Sequence, residues 1–286
     1  MPKSVILAAV GRLPQDMAVL RRAIELVKNH DADFWVAHVL DLPGDPSELD
    51  DASTFLGQAA FAARDRIEAA LLELGVEKSQ VSIRIEAGAH ALTLIDLCRQ
   101  VDPALVVMRA HQKRKISERL LGSTTERVIA AASTPVLVVK TKAEAPYARA
   151  VVATNGTDEA LDLMRFVSQQ LPGVKLRLLQ VVHIPRQLKE AMLRTGAGKV
   201  AFADHREQLI LKAEEHLRLL VSKSDVSIQP AVAKGDPAKT LVAYCQDQNM
   251  DLIAMGQARK NLVSRAFIGS VSRRVLRDAD CDVLIS

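Results

Sequence analysis

The chain has 286 residues, 49% of them hydrophobic, which is length and apolar content for two packed domains. Lys and Arg outnumber Asp and Glu by only 38 to 34 and aromatic residues make up 3%, so the basic stripe and stacking rings of a nucleic-acid binder are lacking. The three cysteines form no Cys-x-x-Cys pair, Met-Pro-Lys-Ser leads straight into Val5, and no apolar run reaches transmembrane length; these features argue against a disulfide framework, a signal peptide and a membrane span, and predict a cytoplasmic protein with reduced thiols.

In chain order, short β-branched apolar runs alternate with longer segments of helical period. Strands are predicted near Val5–Val10, Phe34–Leu40, Val81–Glu86, Ala104–Met108 and Val136–Val139. The clearest helix is Thr54–Leu74, where Leu56, Ala60, Ala63, Ile67, Leu71 and Leu74 step by three or four and leave Arg64, Asp65, Glu68 and Glu73 outside. After a charged linker from Lys140 to Tyr147 the series resumes: strands near Ala150–Thr154, Leu176–Val182, Val226–Pro230, Leu252–Met255 and Val283–Ile285, with a long helix at Phe202–Leu220. Such alternation predicts an α/β architecture of parallel strands with crossover helices, whose ligands bind beyond the strand C-termini.

The second series repeats the first. Gly88 pairs with Gly235, Cys98 with Cys245, and Gly122-Ser123 with Gly269-Ser270, each 147 residues on, and His38 is matched to His183 at a separation of 145. The predicted division is into residues 1–142 and 148–286. The small basic excess falls after residue 142, where 20 basic residues face 16 acidic ones.

In the second copy Asp251–Gly256 runs into Gln257-Ala258-Arg259, and ten residues after Arg259 comes Gly269-Ser270, opening an apolar helix. A strand, a loop and a helix N-terminus in that order suit a phosphate: free N–H groups and the helix dipole attract it, Ser270 and Ser272 add hydroxyls, and glycine lets the backbone approach. Taken alone, the loop reads first as a turn at Gly269 and a cap at Ser270, which many phosphate-free helices have.

The spacing resembles the universal stress protein family, whose nucleotide-binding members carry Gly-x-x-Gly-x9-Gly-(Ser/Thr) after the fourth strand and an Asp after the first. The resemblance covers nearly the whole chain, twice. Gly256, Gly269 and Ser270 occupy the pattern, Arg259 replaces its second glycine, and Asn155 stands where the family has Asp. Gly235-Asp236-Pro237-Ala238 also matches a family habit. In the first copy Arg109 and Gln112 replace both loop glycines, and Val10-Gly11-Arg12 offers no acid, so that copy is expected to have lost its site. Asn155 keeps a carbonyl that accepts a hydrogen bond but lacks the charge. Arg259 either strains the loop, gives it another shape, or supplies a guanidinium to phosphate.

The resemblance implies two tandem doubly wound domains, each a five-stranded, mostly parallel sheet of order 3-2-1-4-5, akin to the adenine nucleotide alpha hydrolase fold. The two pack as an intramolecular pseudo-dimer through their last strands, Pro135–Val139 and Asp282–Ile285. It implies a non-catalytic stress-response protein that binds ATP or another adenine nucleotide, with Mg, in the second domain through Asn155, Gly256, Arg259, Gly269, Ser270, Val271 and Ser272. A nucleotide-independent scaffold for an unidentified protein partner is the alternative, and a homodimer is compatible with either. An adenylate-using enzyme is the third reading, for which no Ser-Gly-Gly-x-Asp-Ser segment or Ser, His and acid set is found. No metal-ligand spacing accompanies His38 or His183. The basic run Arg109–Lys115 reads as a solvated loop or a grip for an acidic partner. Cys98 and Cys245 read as packing residues, and Cys281 as the thiol to test for reactivity.

Overall fold

The computed structural model describes residues 3–110, 122–131, 133–184, 190, 194, 199–257 and 268–286. They divide into two compact units: Met1–Pro146, Gln257–Gly269 and Asp282–Ser286 form the first, Tyr147–Gly256 and Ser270–Cys281 the second.

The first unit contains β1 (Val5–Ala9), α1 (Met17–Asn29), β2 (Asp33–Leu40), α2 (Phe55–Glu73), β3 (Val81–Ala87), α3 (His90–Val101), β4 (Leu105–Arg109), α4 (Ser123–Ala131) and β5 (Val136–Val139), together with the final strand β10 (Asp282–Ile285). Its strand order is β3-β2-β1-β4-β5-β10. The first five strands are parallel, whereas β10 runs antiparallel to β5 with Val283 opposite Val138 and Ile285 opposite Val136. The second unit contains β6 (Arg149–Thr154), α5 (Ala160–Gln170), β7 (Lys175–Val182), α6 (Lys199–Ser222), β8 (Ile228–Lys234), α7 (Pro237–Asp247), β9 (Leu252–Met255) and α8 (Ser270–Asp278), with parallel strands in the order β9-β6-β7-β8.

The α/β class, the two tandem copies and their 3-2-1-4-5 strand order are therefore as the sequence implies, but the compact units group one strand of the second copy with the first. The cause is β10, whose backbone groups pair with β5 and draw it into the first unit. The strand predicted at Val226–Pro230 lies further on, at Ile228–Lys234, because its register with β7 runs to the pair Val182 and Lys234. Pro230 is tolerated because β8 is an edge strand, where a missing N–H breaks no ladder.

All four residues of each of β5, β9 and β10 are buried, as strands covered on both faces require. In α2, Thr54 accepts a hydrogen bond from Gly57 N–H at 3.0 Å, and Leu56, Ala60, Ala63, Ile67 and Leu71 turn inward as their spacing predicts. Each large apolar side chain taken from water stabilises the fold by about 1.5–3 kcal/mol.

β10 is fastened by a carboxylate. Asp282 is fully buried, and its Oδ1 accepts from the N–H groups of Lys140 (2.8 Å) and Thr141 (2.9 Å). The guanidinium Nε of Arg22, on α1, lies 3.5 Å from Asp282 Oδ2.

Candidate functional site at the C-terminal strand ends

In the second unit, β6 and β9 run side by side with Ala153 opposite Met255, so the chain leaves both strands at one edge, toward Asn155 and Gly256. Asn155 is exposed, and its Oδ1 accepts the Thr157 hydroxyl at 2.8 Å. Part of the acceptor capacity that the sequence reserves for a ligand is thus used within the turn, and its amide N–H groups remain. Gly156 is fixed by its backbone: φ is +82°, and a Cβ there would stand 2.7 Å from Gln180 Nε2. Gln180 Oε1 is buried and has no hydrogen-bond partner among the described residues.

Gly256, in contrast, has a conformation open to any residue, and an added Cβ would meet nothing within 4 Å. Gly269 is exposed and immediately precedes α8, which opens at Ser270. Ser270 is exposed, Val271 half-buried and Ser272 buried, so the first hydroxyl is the accessible one. Arg259 lies outside the described residues. Of the seven predicted residues, the strand register brings Asn155 and Gly256 to one edge, while Ser270, Val271 and Ser272 share the first turn of α8.

One interaction at this edge had no sequence signal. Gly235, at φ +141°, turns the chain so tightly that a Cβ would fall 2.5 Å from Thr240 Oγ1. Asp236 then caps α7, accepting Lys239 N–H at 3.0 Å, and takes the Arg274 guanidinium at 2.9 Å. Arg274 and Lys239 together hold the Asp236 carboxyl below the usual carboxylate range, the arginine contributing most. The Arg274 charge on α8 is committed to the β8–α7 turn. A protein residue 38 positions away is its partner, which local spacing does not reveal.

The first unit departs from expectation at the end of β1. No acid follows the strand directly, yet Asp16, 2% exposed, reaches back so that Oδ2 accepts from Gly11 N–H (2.7 Å) and Arg12 N–H (2.8 Å). Arg109, at the end of β4, donates to the Gln15 carbonyl and stands 3.5 Å from Asp16 Oδ1. The start of the basic run is therefore tied to the fold; the rest of it, His111–Lys115, lies outside the described residues. Ser123 opens α4, the counterpart of α8. A cavity of about 400 Å3 opens at the end of β1, lined in part by Gly11, Arg12, His38 and Arg66.

The matching of His38 to His183 is corrected by the registers. Gly88 N–H bonds the Leu40 carbonyl and Gly235 N–H the Val182 carbonyl, so Leu40 corresponds to Val182 and His38 to Gln180. His38 Nδ1 lies 2.9 Å from the Val10 carbonyl, and burial lowers its pKa below the ordinary 6.5. Exposed His183 has Nδ1 3.2 Å from the Gly235 carbonyl. The cysteines are all free and buried, Cys281 included. The Cys245 thiol is raised far above its usual value by its hydrogen bond to Cys281 and by burial, and burial pushes Cys98 up to about 11. Among the described residues no group of three or more His, Cys, Asp or Glu could hold a metal, and no helix is long and apolar enough to cross a membrane.

The fold defines a tandem α/β protein with its candidate site loops at the C-terminal edge of parallel strands. The chain belongs to the universal stress protein family, which matches it twice, over residues 4–140 and 146–286. It is 31% identical over 74 residues to a universal stress protein of Methanocaldococcus jannaschii, covering 26% of this chain and 44% of that one. To a universal stress protein of Methanothermobacter thermautotrophicus it is 29% identical over 99 residues, covering 35% of this chain and 62% of the relative. The chain thus spans less than two thirds of the length of each of these relatives. A functionally unknown protein of Pseudomonas aeruginosa superposes with a TM-score of 0.68 at 16% identity, covering 99% of this chain and 92% of the other, a likeness of fold.

Proposed function

We propose that this protein is a non-catalytic stress-response protein of its family that binds an adenine nucleotide, ATP with magnesium, in its second copy only. The observation that carries this reading is the start of α8 at Ser270, directly after Gly269 and fifteen residues beyond the end of β9 at Met255, which Gly256 follows. That arrangement supplies unpaired backbone N–H groups and an exposed hydroxyl where a phosphate is favoured. Gly256 leaves open space, and Asn155 keeps amide donors at the end of β6, so the residues fit the group. Ser270, Val271, Ser272 and Gly269 would hold phosphate, with Arg259 as a further cation, and Asn155 the nucleoside end. Bound ATP supplies the nucleotide signal; the chain's own part is to bind it and keep its phosphates ordered. The three free thiols agree with a reducing, cytoplasmic setting.

Calorimetric titration of the nucleotide-stripped protein with ATP and magnesium tests this, repeated on Ser270→Ala and Ser123→Ala. Binding that is lost with Ser270→Ala and kept with Ser123→Ala is expected. Absence of any nucleotide binding refutes it and favours the scaffold that meets a protein partner; ATP turnover that depends on Ser270 would instead favour an enzyme.

A further inference from the structure

The cavity at the end of β1 has a chemistry of its own. Arg12, Gln15, His38 and Arg66 provide its polar lining, and Ala63 and Ile67, on the buried face of α2, form an apolar wall. Its volume of about 400 Å3 lies in the range of small-molecule pockets, about 300–1,000 Å3, and exceeds what a bare oxyanion fills. Among the described residues that line it are two guanidinium groups and no carboxylate. The nearby acid, Asp16, is buried and occupied by the Gly11 and Arg12 N–H groups and by Arg109, so it is not extended into the cavity. The Arg66 Nε donates to the Ala62 carbonyl at 2.9 Å, which anchors that side chain against α2, and neither Arg12 nor Arg66 has an acidic partner among the described residues.

We infer that this cavity in the first unit binds a small organic anion, its phosphate or carboxylate group held by Arg12 and Arg66 and its compact apolar body seated against Ala63 and Ile67. A guanidinium fork matches either oxyanion. His38 lines the same space with Nδ1 committed to Val10, which fixes the ring beside the ligand. The site uses none of the glycine-loop residues and does not rest on nucleotide binding in the second copy. Two arginines flank the place where the family's pattern has an acid, so the half of the chain that lost that pattern presents cationic groups at this cavity.

Calorimetry on the full chain tests the inference with phenyl phosphate and benzoate as probes, and with inorganic phosphate and phenol for comparison. At least one of the two organic anions is expected to bind more tightly than inorganic phosphate, the tighter one identifying the head group, while phenol gives no binding. Arg12→Gln and Arg66→Gln, both at exposed positions, should each weaken that binding roughly tenfold or more while leaving urea unfolding unchanged. Ser270→Ala should leave it intact even where ATP binding is lost, which separates this site from the nucleotide site. The inference is overturned if neither organic anion binds, if inorganic phosphate binds as tightly, if both arginine variants bind like the parent, or if Ser270→Ala abolishes binding.

Discussion

Gly156 and Gly256 look alike in a sequence and differ physically. The first has φ +82° and Gln180 Nε2 pressing where a Cβ would be; the second has neither constraint. Gly156→Ala is therefore expected to destabilise the protein by about 1–2 kcal/mol, and Gly256→Ala to stay within about 0.5 kcal/mol, measured by urea unfolding. Equal effects would contradict the assignment. His38 is a second residue-scale case. Its lowered pKa means that the unfolded chain takes up the proton first as pH falls below 6.5, so stability is full above that value and declines beneath it. His38→Gln, which copies the residue at the equivalent position of β7, should flatten this part of the stability curve between pH 6.5 and the lower folded value. A thermal melt series that keeps the parent's slope would show that another group titrates. The thiols give a third: buried Cys98, Cys245 and Cys281 should react with a thiol reagent only as fast as the native chain opens, and prompt labelling of Cys281 would restore the expectation that it is reactive.

At the scale of elements, β10 and its buried Asp282 decide how the last strand is held. Removing the carboxylate takes from the Lys140 and Thr141 N–H groups their Asp282 acceptor and leaves the buried Arg22 with Glu25 as its remaining acidic neighbour. Asp282→Ala should cost about 3–5 kcal/mol in urea unfolding, and a loss below about 0.5 kcal/mol would mean that the clasp is incidental. Elements were the most legible level of the sequence. The period of α2, its Thr54 cap and the glycines at 88 and 235 are local signals, and they appear where the residues predict. What depends on partners was not legible. The equivalence of His38 with Gln180 follows from the hydrogen bonds of Gly88 and Gly235, and a similar apolar run with a histidine three residues later imitates it. Asp16 lies six residues past Val10 and folds back; Arg274 and Asp236 meet across 38 residues. Neither contact has a spacing rule.

For the whole molecule, a duplicated chain has two chances at each site, and the copies have diverged in opposite senses. The second keeps the glycine and serine at the start of α8, with Asp236 engaged by Arg274. The first keeps Gly122-Ser123 but surrounds the end of β1 with Arg12, Arg66 and Arg109. The candidate nucleotide site was legible in sequence because a repeat offset of 147 aligns Gly269-Ser270 with Gly122-Ser123; the cavity was not, since Arg12, His38 and Arg66 come from three separate segments.

The central claim is that nucleotide binds one copy and not the other. Its most direct test is photolabelling of the full chain with an azido-adenine analogue of ATP in the presence of magnesium, followed by peptide mapping, with competition by unmodified ATP. The account predicts competable label confined to peptides of residues 149–286, near Asn155 or Ser270. Competable label in peptides bearing Gly11, His38 or Ser123 would place the nucleotide in the copy that has lost the pattern and contradict the account.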